Sequence, residues 1–220
     1  MIQKLLFSTE VNNFFIVSDT HFNHDRPFIY KNRGFSSMQE HDDTLIERWN
    51  EIVNYNDVVL HLGDFILYDP EAERLKIILR KLKGKIYYVW GNHNSGTKAL
   101  YQEVLSETKR ENQWDDSNNM EIYPLTWNNK LTFLGNYIDG HINKTLFSAC
   151  HYPVRSWNQM QSAAVFMCGH CHGNDKELNK DYSVHKRLDF SIDNFGRPVS
   201  FEDAMKMYDL KKFQGIDHHV

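Results

Sequence analysis

Three apolar runs in the first half of the chain each end in a short polar cluster, and this repeated pattern constrains the fold more than any other feature. The runs are NFFIVSD at 13–19, DVVLHLGD at 57–64 and KIYYVWGN at 85–92. Their length and their β-branched and aromatic residues are typical of buried strands. Helical patterns separate them, so this half of the chain predicts strand–helix–strand units.

Three helices are predicted from apolar periodicity and capping signals. SSMQEHDDTLIERWNEIVN contains the capping-box pattern Ser37-x-x-Glu40 before an amphipathic face. EAERLKIILRKLKG has a regular leucine face and closes on Gly84, and FEDAMKMYDLKKF at 201–213 is the final helix. Residues 107–120 are polar and unpatterned, which predicts a loop.

The second half of the chain is richer in strand patterns. KLTFLGNYIDGHINKTLFSACH at 130–151 predicts strands joined by a turn at Asp139-Gly140, and further strands are expected within 163–172 and 187–194. We therefore predict an α/β fold with helices outside two sheets, formed by residues 1–220 as one domain.

Composition narrows the function classes. The chain has 220 residues, 41% of them hydrophobic and 25% charged, as in ordinary globular proteins. A formal net charge of -4 argues against a global basic field for nucleic acid, although a local basic groove remains open. We expect neither a signal peptide nor a membrane span, and three cysteines indicate a reducing compartment. The predicted localisation is therefore cytoplasmic, with no membrane partner and no obligate protein partner.

Metal-ligand side chains follow five of the predicted strands. They are Asp19 and His21, then Asp64, then Asn92 and His93, then His151, and finally His170 and His172. A single Asp or Asn after a strand is ordinarily a turn or cap residue, but five such clusters favour a shared site at the carboxyl ends of the strands. Carboxylate, carboxamide and imidazole ligands suit Mn²⁺, Fe²⁺, Zn²⁺, Co²⁺ or Ni²⁺. Two ions sharing a carboxylate can drive an in-line phosphoryl displacement.

The stretch CGHCHG at 168–173 allows three chemistries on spacing alone. It could attach haem covalently, form half of a structural zinc site through Cys168 and Cys171, or present two imidazoles to a catalytic metal. The haem alternative lacks an export signal, and the zinc alternative lacks a second C-x-x-C. The ligand-type clusters upstream favour the third alternative, in which His170 and His172 bind a catalytic metal.

In order, the chain contains D-T-H at 19–21, G-D at 63–64, G-N-H at 91–93, His151, and G-H-C-H at 169–172. This ordered set resembles the calcineurin-like metallophosphoesterases. Phrases such as S-D-T-H-F, H-L-G-D-F and H-Y-P resemble a compact bacterial and viral branch of that family. The resemblance implies a four-layer α/β/β/α sandwich of two mixed sheets flanked by helices.

The resemblance also implies a role for each ligand. One metal would be held by Asp19, His21 and His172, the other by Asn92, His151 and His170, and Asp64 would bridge them. A metal-bridging hydroxide would be the nucleophile, and His93 would stabilise the transition state or protonate the leaving oxygen. Mn²⁺ is the first choice of metal. Residues considered for substrate contact are His24, Arg26, Arg33 and Arg155, with surface salt bridging as the alternative for each arginine.

Two departures from the family pattern concern His93. The family often has a carboxylate three places after the G-D aspartate, where this chain has Leu67, and an acid after G-N-H, where it has Asn94. Asp25 or Asp69 could substitute. These departures disfavour phosphoprotein hydrolysis. The sequence thus predicts a dinuclear phosphodiesterase acting on nucleotides, cyclic nucleotides or nucleic-acid ends. The alternatives are a phosphomonoesterase of the same fold and a metal-binding protein without turnover.

Overall fold

The computed structural model describes residues 4–9, 12–112, 125–175 and 186–211, with only the backbone for Lys4 and 109–112. In this part of the chain eleven strands form two sheets. They are β1 (Lys4–Phe7), β2 (Phe14–Val17), β3 (Val58–His61), β4 (Lys85–Tyr88), β5 (Thr126–Trp127), β6 (Leu131–Phe133), β7 (Tyr137–Ile142), β8 (Thr145–Cys150), β9 (Val165–Cys168), β10 (Arg187–Asp189) and β11 (Val199–Ser200).

Both sheets are mixed. The first has the order β11-β2-β3-β4-β6-β5, and its four central strands are parallel while β11 and β5 are antiparallel edges. The second has the order β1-β7-β8-β9-β10, in which only β7 and β8 are antiparallel. Parallel strands require crossover connections, and the helices supply them in the first sheet.

The described helices are α1 (Pro27–Tyr30), α2 (Met38–Ile52), α3 (Glu73–Lys81), α4 (Ser95–Asn112), α5 (Ile192–Phe195) and α6 (Phe201–Asp209). Helix α2 begins as predicted, because the Ser37 hydroxyl accepts a hydrogen bond from the Glu40 backbone N–H at 3.1 Å. Two mixed sheets flanked by helices confirm the predicted fold class.

Alternation along the strands separates two cores. In β2, Phe15 and Val17 face the core shared with α2, α3 and α4, whereas Phe14 and Ile16 face the core between the sheets. Helix α6 joins the inter-sheet core through buried Tyr208. A smaller cluster on the second sheet lies under a 3₁₀ turn at Met160–Ser162. Both faces of the first sheet are therefore covered, and the ends of its strands remain accessible.

The predicted turn at Asp139-Gly140 is wrong. Both residues lie inside β7, and the hairpin turns at residues 143–144, where Asn143 adopts φ 53°. The Asp139 carboxylate accepts a hydrogen bond from the Ser148 hydroxyl across the hairpin at 2.6 Å. The Asp-Gly signal is local, and strand pairing overrides it.

Two further elements differ from prediction. Helix α4 extends to Asn112, so residues 107–112 are helical rather than a loop, and 113–120 lie outside the described residues. Strand β1 was not predicted, because its short apolar run becomes a strand only by pairing with β7. No helix in the described segments is long and apolar enough to cross a bilayer.

Candidate metal centre

The carboxyl ends of strands from both sheets bring the predicted ligands together. The loops after β2 and β3 are joined by backbone hydrogen bonds from Asp19 to Gly63 and from His21 to Asp64, both 3.0 Å long. Asp19, His21 and Asp64 have φ angles of 56°, 49° and 54°. This left-handed region is sparsely populated for residues other than glycine and is found at functional sites.

One group of ligands consists of Asp19, His21 and His172. The Nε2 atoms of the two histidines are 3.3 Å apart. Asp19 Oδ1 lies 3.9 Å from His21 Nε2 and 3.6 Å from His172 Nε2. Ligand atoms this close together could hold one metal ion.

A second group consists of Asn92, His151 and His170. Asn92 Oδ1 lies 2.8 Å from His151 Nε2 and 3.0 Å from His170 Nδ1. The two imidazole nitrogens are 3.3 Å apart. These atoms form a second convergent set on the other side of the loop after β3.

Asp64 lies between the two groups. Its Oδ2 atom is 3.7 Å from His21 Nε2 and 3.5 Å from His151 Nε2. Its Oδ1 atom accepts hydrogen bonds from the backbone N–H groups of Asn92 and His93, each at 2.8 Å. One carboxylate oxygen is therefore fixed by the backbone and the other faces both histidines.

The donor set fits divalent cations, because carboxylate oxygens and imidazole nitrogens converge within 4.8 Å of one another. The His151 Nδ1–H donates to the Leu62 carbonyl at 2.8 Å, and in this tautomer Nε2 presents a lone pair toward Asn92 Oδ1. Asp19 Oδ1 is buried and has no hydrogen-bond partner. A buried carboxylate oxygen without a partner is costly unless a cation compensates it.

The pKa shifts of Asp19, His21 and His172 differ in direction, and that of His21 favours the metal-binding form. Burial raises the pKa of Asp19 against the opposing effects of His151 and His172. Burial also lowers the pKa of His21 well below its usual value, which keeps the imidazole neutral and able to bind a metal. Burial by itself lowers the pKa of His172, but the hydrogen bond to Asp193 and the charge of Asp19 outweigh it, so the pKa is raised.

Strand alternation would place the two histidines of the G-H-x-H motif on the same side of a strand. The structure differs from this expectation. Strand β9 ends at Cys168, and His170 and His172 have φ angles of 73° and 49°. A turn closed by the Cys171 N–H and the Gly169 carbonyl sends them to different ligand groups. The backbone turn after β9, and not strand alternation, therefore places the two imidazoles in different ligand groups.

Asp193 contacts the first ligand group, although the sequence alone assigned it no role. Its Oδ2 atom lies 2.7 Å from His172 Nδ1 and accepts a hydrogen bond from Arg33 Nη2 at 2.8 Å. This contact fixes the ring so that Nε2 faces Asp19. The one available signal was the position of Asp193 near the end of the range 187–194, within which a strand was expected.

Arg33 is held by protein groups. Besides Asp193, its guanidinium donates to the backbone carbonyls of Asp19 at 2.8 Å and Thr20 at 3.0 Å. Its Nη1 atom is also 2.9 Å from His41 Nε2, and the side chain is only 6% exposed. This engagement argues against Arg33 as a substrate-contacting residue and makes it a positioning residue.

His93 and His24 lie beside the first ligand group. The His93 ring packs edge-on against His21 with centroids 5.6 Å apart, and the residue is exposed. The ring of His24 is 5.3 Å from that of His21. Burial, with smaller effects of His93, Arg33 and Arg26, lowers the pKa of His24 to about 4. Both imidazoles therefore adjoin the metal centre.

Asn94, one of the two departures from the family pattern, has a structural role. Asn94 Oδ1 accepts hydrogen bonds from the Tyr88 hydroxyl at 2.7 Å and the Gly91 N–H at 3.2 Å, so it braces the loop that carries Asn92. Asp69 accepts a hydrogen bond from the Leu75 N–H at the start of α3. Asp69 thus serves the helix and not His93.

The remaining residues fall into surface and core positions. Arg26 and Arg155 are exposed. Trp157 is buried and donates from Nε1 to the Ala164 carbonyl at 2.8 Å, so it is a core residue. Cys168 is fully buried with Sγ 3.3 Å from the Leu188 carbonyl, and the potential metal-binding groups of the described residues consist of Asp and His alone. The haem and structural-zinc alternatives therefore lose support.

A protein-family model supplies the decisive comparison. The calcineurin-like phosphoesterase model matches residues 13–196, which include every ligand described above. The chain belongs to the calcineurin-like phosphoesterase family. This phosphoesterase family hydrolyses phosphoester bonds with divalent metals, and the Asp and His clusters are suited to such ions.

Comparisons with individual proteins say less about function than the family model does. An 80-residue stretch of this chain is 42% identical to the uncharacterized protein MJ1445 of Methanocaldococcus jannaschii, covering 36% of this chain and 46% of that protein. The match thus spans about half the length of the curated relative. The structure of AQ665 from Aquifex aeolicus, of unknown function, aligns with a TM-score of 0.61 and 17% identity over 89% of this chain and 99% of that one, which supports the fold.

An archaeal phosphodiesterase aligns with a TM-score of 0.39 and 16% identity, over 81% of this chain and 82% of that one.

The expectation that residues 1–220 form a single domain stays a prediction.

Proposed function

We propose that the phosphoesterase is a dinuclear metal-dependent phosphodiesterase that hydrolyses nucleotides, cyclic nucleotides or nucleic-acid ends. The observation that carries the proposal is the position of Asp64 Oδ2, 3.7 Å from His21 Nε2 and 3.5 Å from His151 Nε2. A single carboxylate oxygen that faces two convergent ligand groups is what two neighbouring cations require.

The residues assigned to each metal follow from these groups. Asp19, His21 and His172 would hold one ion, Asn92, His151 and His170 the other, and Asp64 would bridge them. Bound divalent ions supply Lewis acidity and a nucleophile at neutral pH. Mn²⁺ is our first choice, because the donor set is a mixture of oxygen and imidazole nitrogen.

We also propose that the protein is cytosolic. The free thiols of Cys150, Cys168 and Cys171 support this proposal.

The chain's own residues orient the site and move the proton. Hydrolysis adds one water across a P–O ester bond, and the departing oxygen must gain a proton. His93 adjoins the first ligand group and is exposed at the mouth of the site, so its imidazole can deliver that proton. The backbone N–H of His93 donates a hydrogen bond to Asp64, which holds the His93 backbone beside the bridging carboxylate.

The test is hydrolysis of bis-p-nitrophenyl phosphate in Mn²⁺, with metal content measured on the same preparations. We expect Asp64→Ala to lose metal and activity together. We expect His93→Ala to keep its metal and to lose roughly 10²- to 10⁴-fold in kcat. Asp43→Ala, at an exposed aspartate on α2, serves as the matched control. Robust turnover by Asp64→Ala would overturn the proposal.

Two alternatives are decided by the same experiment. Faster turnover of p-nitrophenyl phosphate than of the diester identifies a phosphomonoesterase. Two bound metals without turnover of either substrate identify a metal-binding protein, which the engagement of Asn94 and Asp69 away from His93 favours.

A further inference from the structure

An exposed tyrosine borders one end of the metal centre. The Tyr152 ring lies edge-on to His170 and His151, with centroids 4.7 and 5.1 Å away. The residue is nevertheless 48% exposed. The tyrosine thus lies against the second ligand group and keeps much of its surface open to solvent.

An exposed phenylalanine borders the other end. Phe28, in α1, is 61% exposed, and its ring lies 5.6 Å from that of His24 at an interplanar angle of 82°. His24 in turn adjoins His21 of the first ligand group. Phe28 and Tyr152 are therefore placed beyond opposite ends of the two-group site, with Asp64 between them.

Each of these rings has an exposed arginine nearby in sequence. Arg26 precedes Phe28 by two residues, and Arg155 follows Tyr152 by three. Within the described ranges, no ion pair engages either guanidinium. The acidic Asp25 precedes Arg26 and is also exposed, so the proposal depends on the two rings and not on a basic surface.

We propose that the phosphoesterase accepts single-stranded nucleic acid with the scissile phosphodiester at the metal centre and the flanking bases stacked on Phe28 and Tyr152. The inference rests on the proposed function and deepens it. Scattered exposed aromatic residues are ordinary, but these two border the site that would hold the phosphate. Base–aromatic stacking tolerates any sequence, because every base has a flat π-face.

The reaction leaves both bases unchanged. Water adds to phosphorus, one P–O ester bond breaks, and the leaving ribose or deoxyribose oxygen takes a proton. A substrate with a base on each side of the phosphate gains two stacking contacts, whereas a substrate with one base gains one. This difference is the measurable consequence of the proposal.

The kinetic test compares the dinucleotide dTpdT with thymidine 5′-methyl phosphate in Mn²⁺. We expect Phe28→Ala and Tyr152→Ala each to raise KM for dTpdT by roughly 5- to 100-fold, with a much smaller change in kcat. Only one of the two substitutions should affect the single-base substrate, and Tyr152→Phe should restore the low KM. Tyr55→Ala is the matched control, because Tyr55 is 77% exposed and precedes β3 at the opposite end of that strand from the site.

A binding measurement separates this inference from the proposed activity. Fluorescence anisotropy of labelled dT6, recorded in EDTA, should show a roughly 5- to 100-fold higher Kd for either alanine variant than for wild type and for Tyr55→Ala. Wild-type KM and Kd in both alanine variants, or equal efficiency on the two substrates, would overturn the stacking proposal. If wild type binds dT6 through both rings yet hydrolyses no diester, the proposed function fails while the stacking surface stands.

Discussion

A single guanidinium joins residues that are distant in the chain at the edge of the metal centre. Arg33 Nε and Nη2 donate to the two carboxylate oxygens of Asp193 at 2.9 and 2.8 Å, across a separation of 160 residues. Burial raises the pKa of Asp193, but its contacts with His172 and Arg33 outweigh this effect and hold the pKa well below its usual value. A permanently ionised Asp193 is suited to orient His172.

We expect Asp193→Asn to weaken metal binding by roughly 10- to 100-fold, because the amide lacks the charge that orients the His172 ring. Arg33→Lys should weaken it less than Arg33→Met, since lysine keeps a charge but loses the bidentate geometry. Titration calorimetry with Mn²⁺ measures these affinities. Asp43→Asn is the surface control, and wild-type affinity in Asp193→Asn would show that the contact does not position the ligand.

Gly91 lies where a side chain would meet the bridging carboxylate. A β-carbon at this position would approach Asp64 Oδ1 and would lie 2.7 Å from the Asp64 backbone nitrogen. We expect Gly91→Ala to lose on the order of 10²-fold in kcat, because small displacements of reacting groups are costly. At Gly135 the atom nearest to an added β-carbon would be 3.6 Å away, so Gly135→Ala is the control and should retain activity.

At the scale of elements, Gly140 decides how β7 pairs with its neighbours. A β-carbon there would run into the Leu5 carbonyl of β1 and into the Phe147 ring, 2.8 Å away. We expect Gly140→Ala to lower the free energy of unfolding by about 1–3 kcal/mol, which urea denaturation measures. A loss no larger than that of Gly135→Ala would mean that β1 adjusts without cost.

Helix α4 shows why some elements escape prediction. Its buried positions include Leu100 and Val104, spaced four apart, but polar residues dominate the segment. Packing of α4 against α3 and the first sheet therefore supplies what local propensity lacks. Helix α3 has a continuous apolar face with Leu75 and Leu79 buried, and it was predicted from sequence.

The stability of the whole molecule should depend on pH through His61. This residue is fully buried, and its Nε2–H donates to Thr20 Oγ1, 3.0 Å away, since the Thr20 hydroxyl itself donates to the Phe65 carbonyl. Burial, with a smaller effect of His151, lowers the pKa of His61 from 6.5 to about 3. The unfolded chain therefore binds a proton below pH 6.5 that the folded chain does not.

We expect the metal-free protein to lose stability as pH falls from about 7 to about 5, with up to about 2 kcal/mol of the loss due to His61. His61→Gln keeps a donor for Thr20 and removes the titration, so its loss over the same range should be smaller. Urea denaturation in EDTA at both pH values measures the difference. Equal losses in wild type and His61→Gln would contradict the assignment.

By itself, the sequence determined the central strands, helix α2 and the order of ligand-type residues after five strands. These features depend on alternation, capping and polarity within short windows. Tertiary structure alone decided the turn at 143–144, the separation of His170 from His172, the bracing role of Asn94 and the Arg33–Asp193 contact. The Arg33–Asp193 contact joins segments 160 residues apart, and no local pattern records such a distance. The other three features depend on backbone conformation and strand pairing, which the residue types in a short window do not specify.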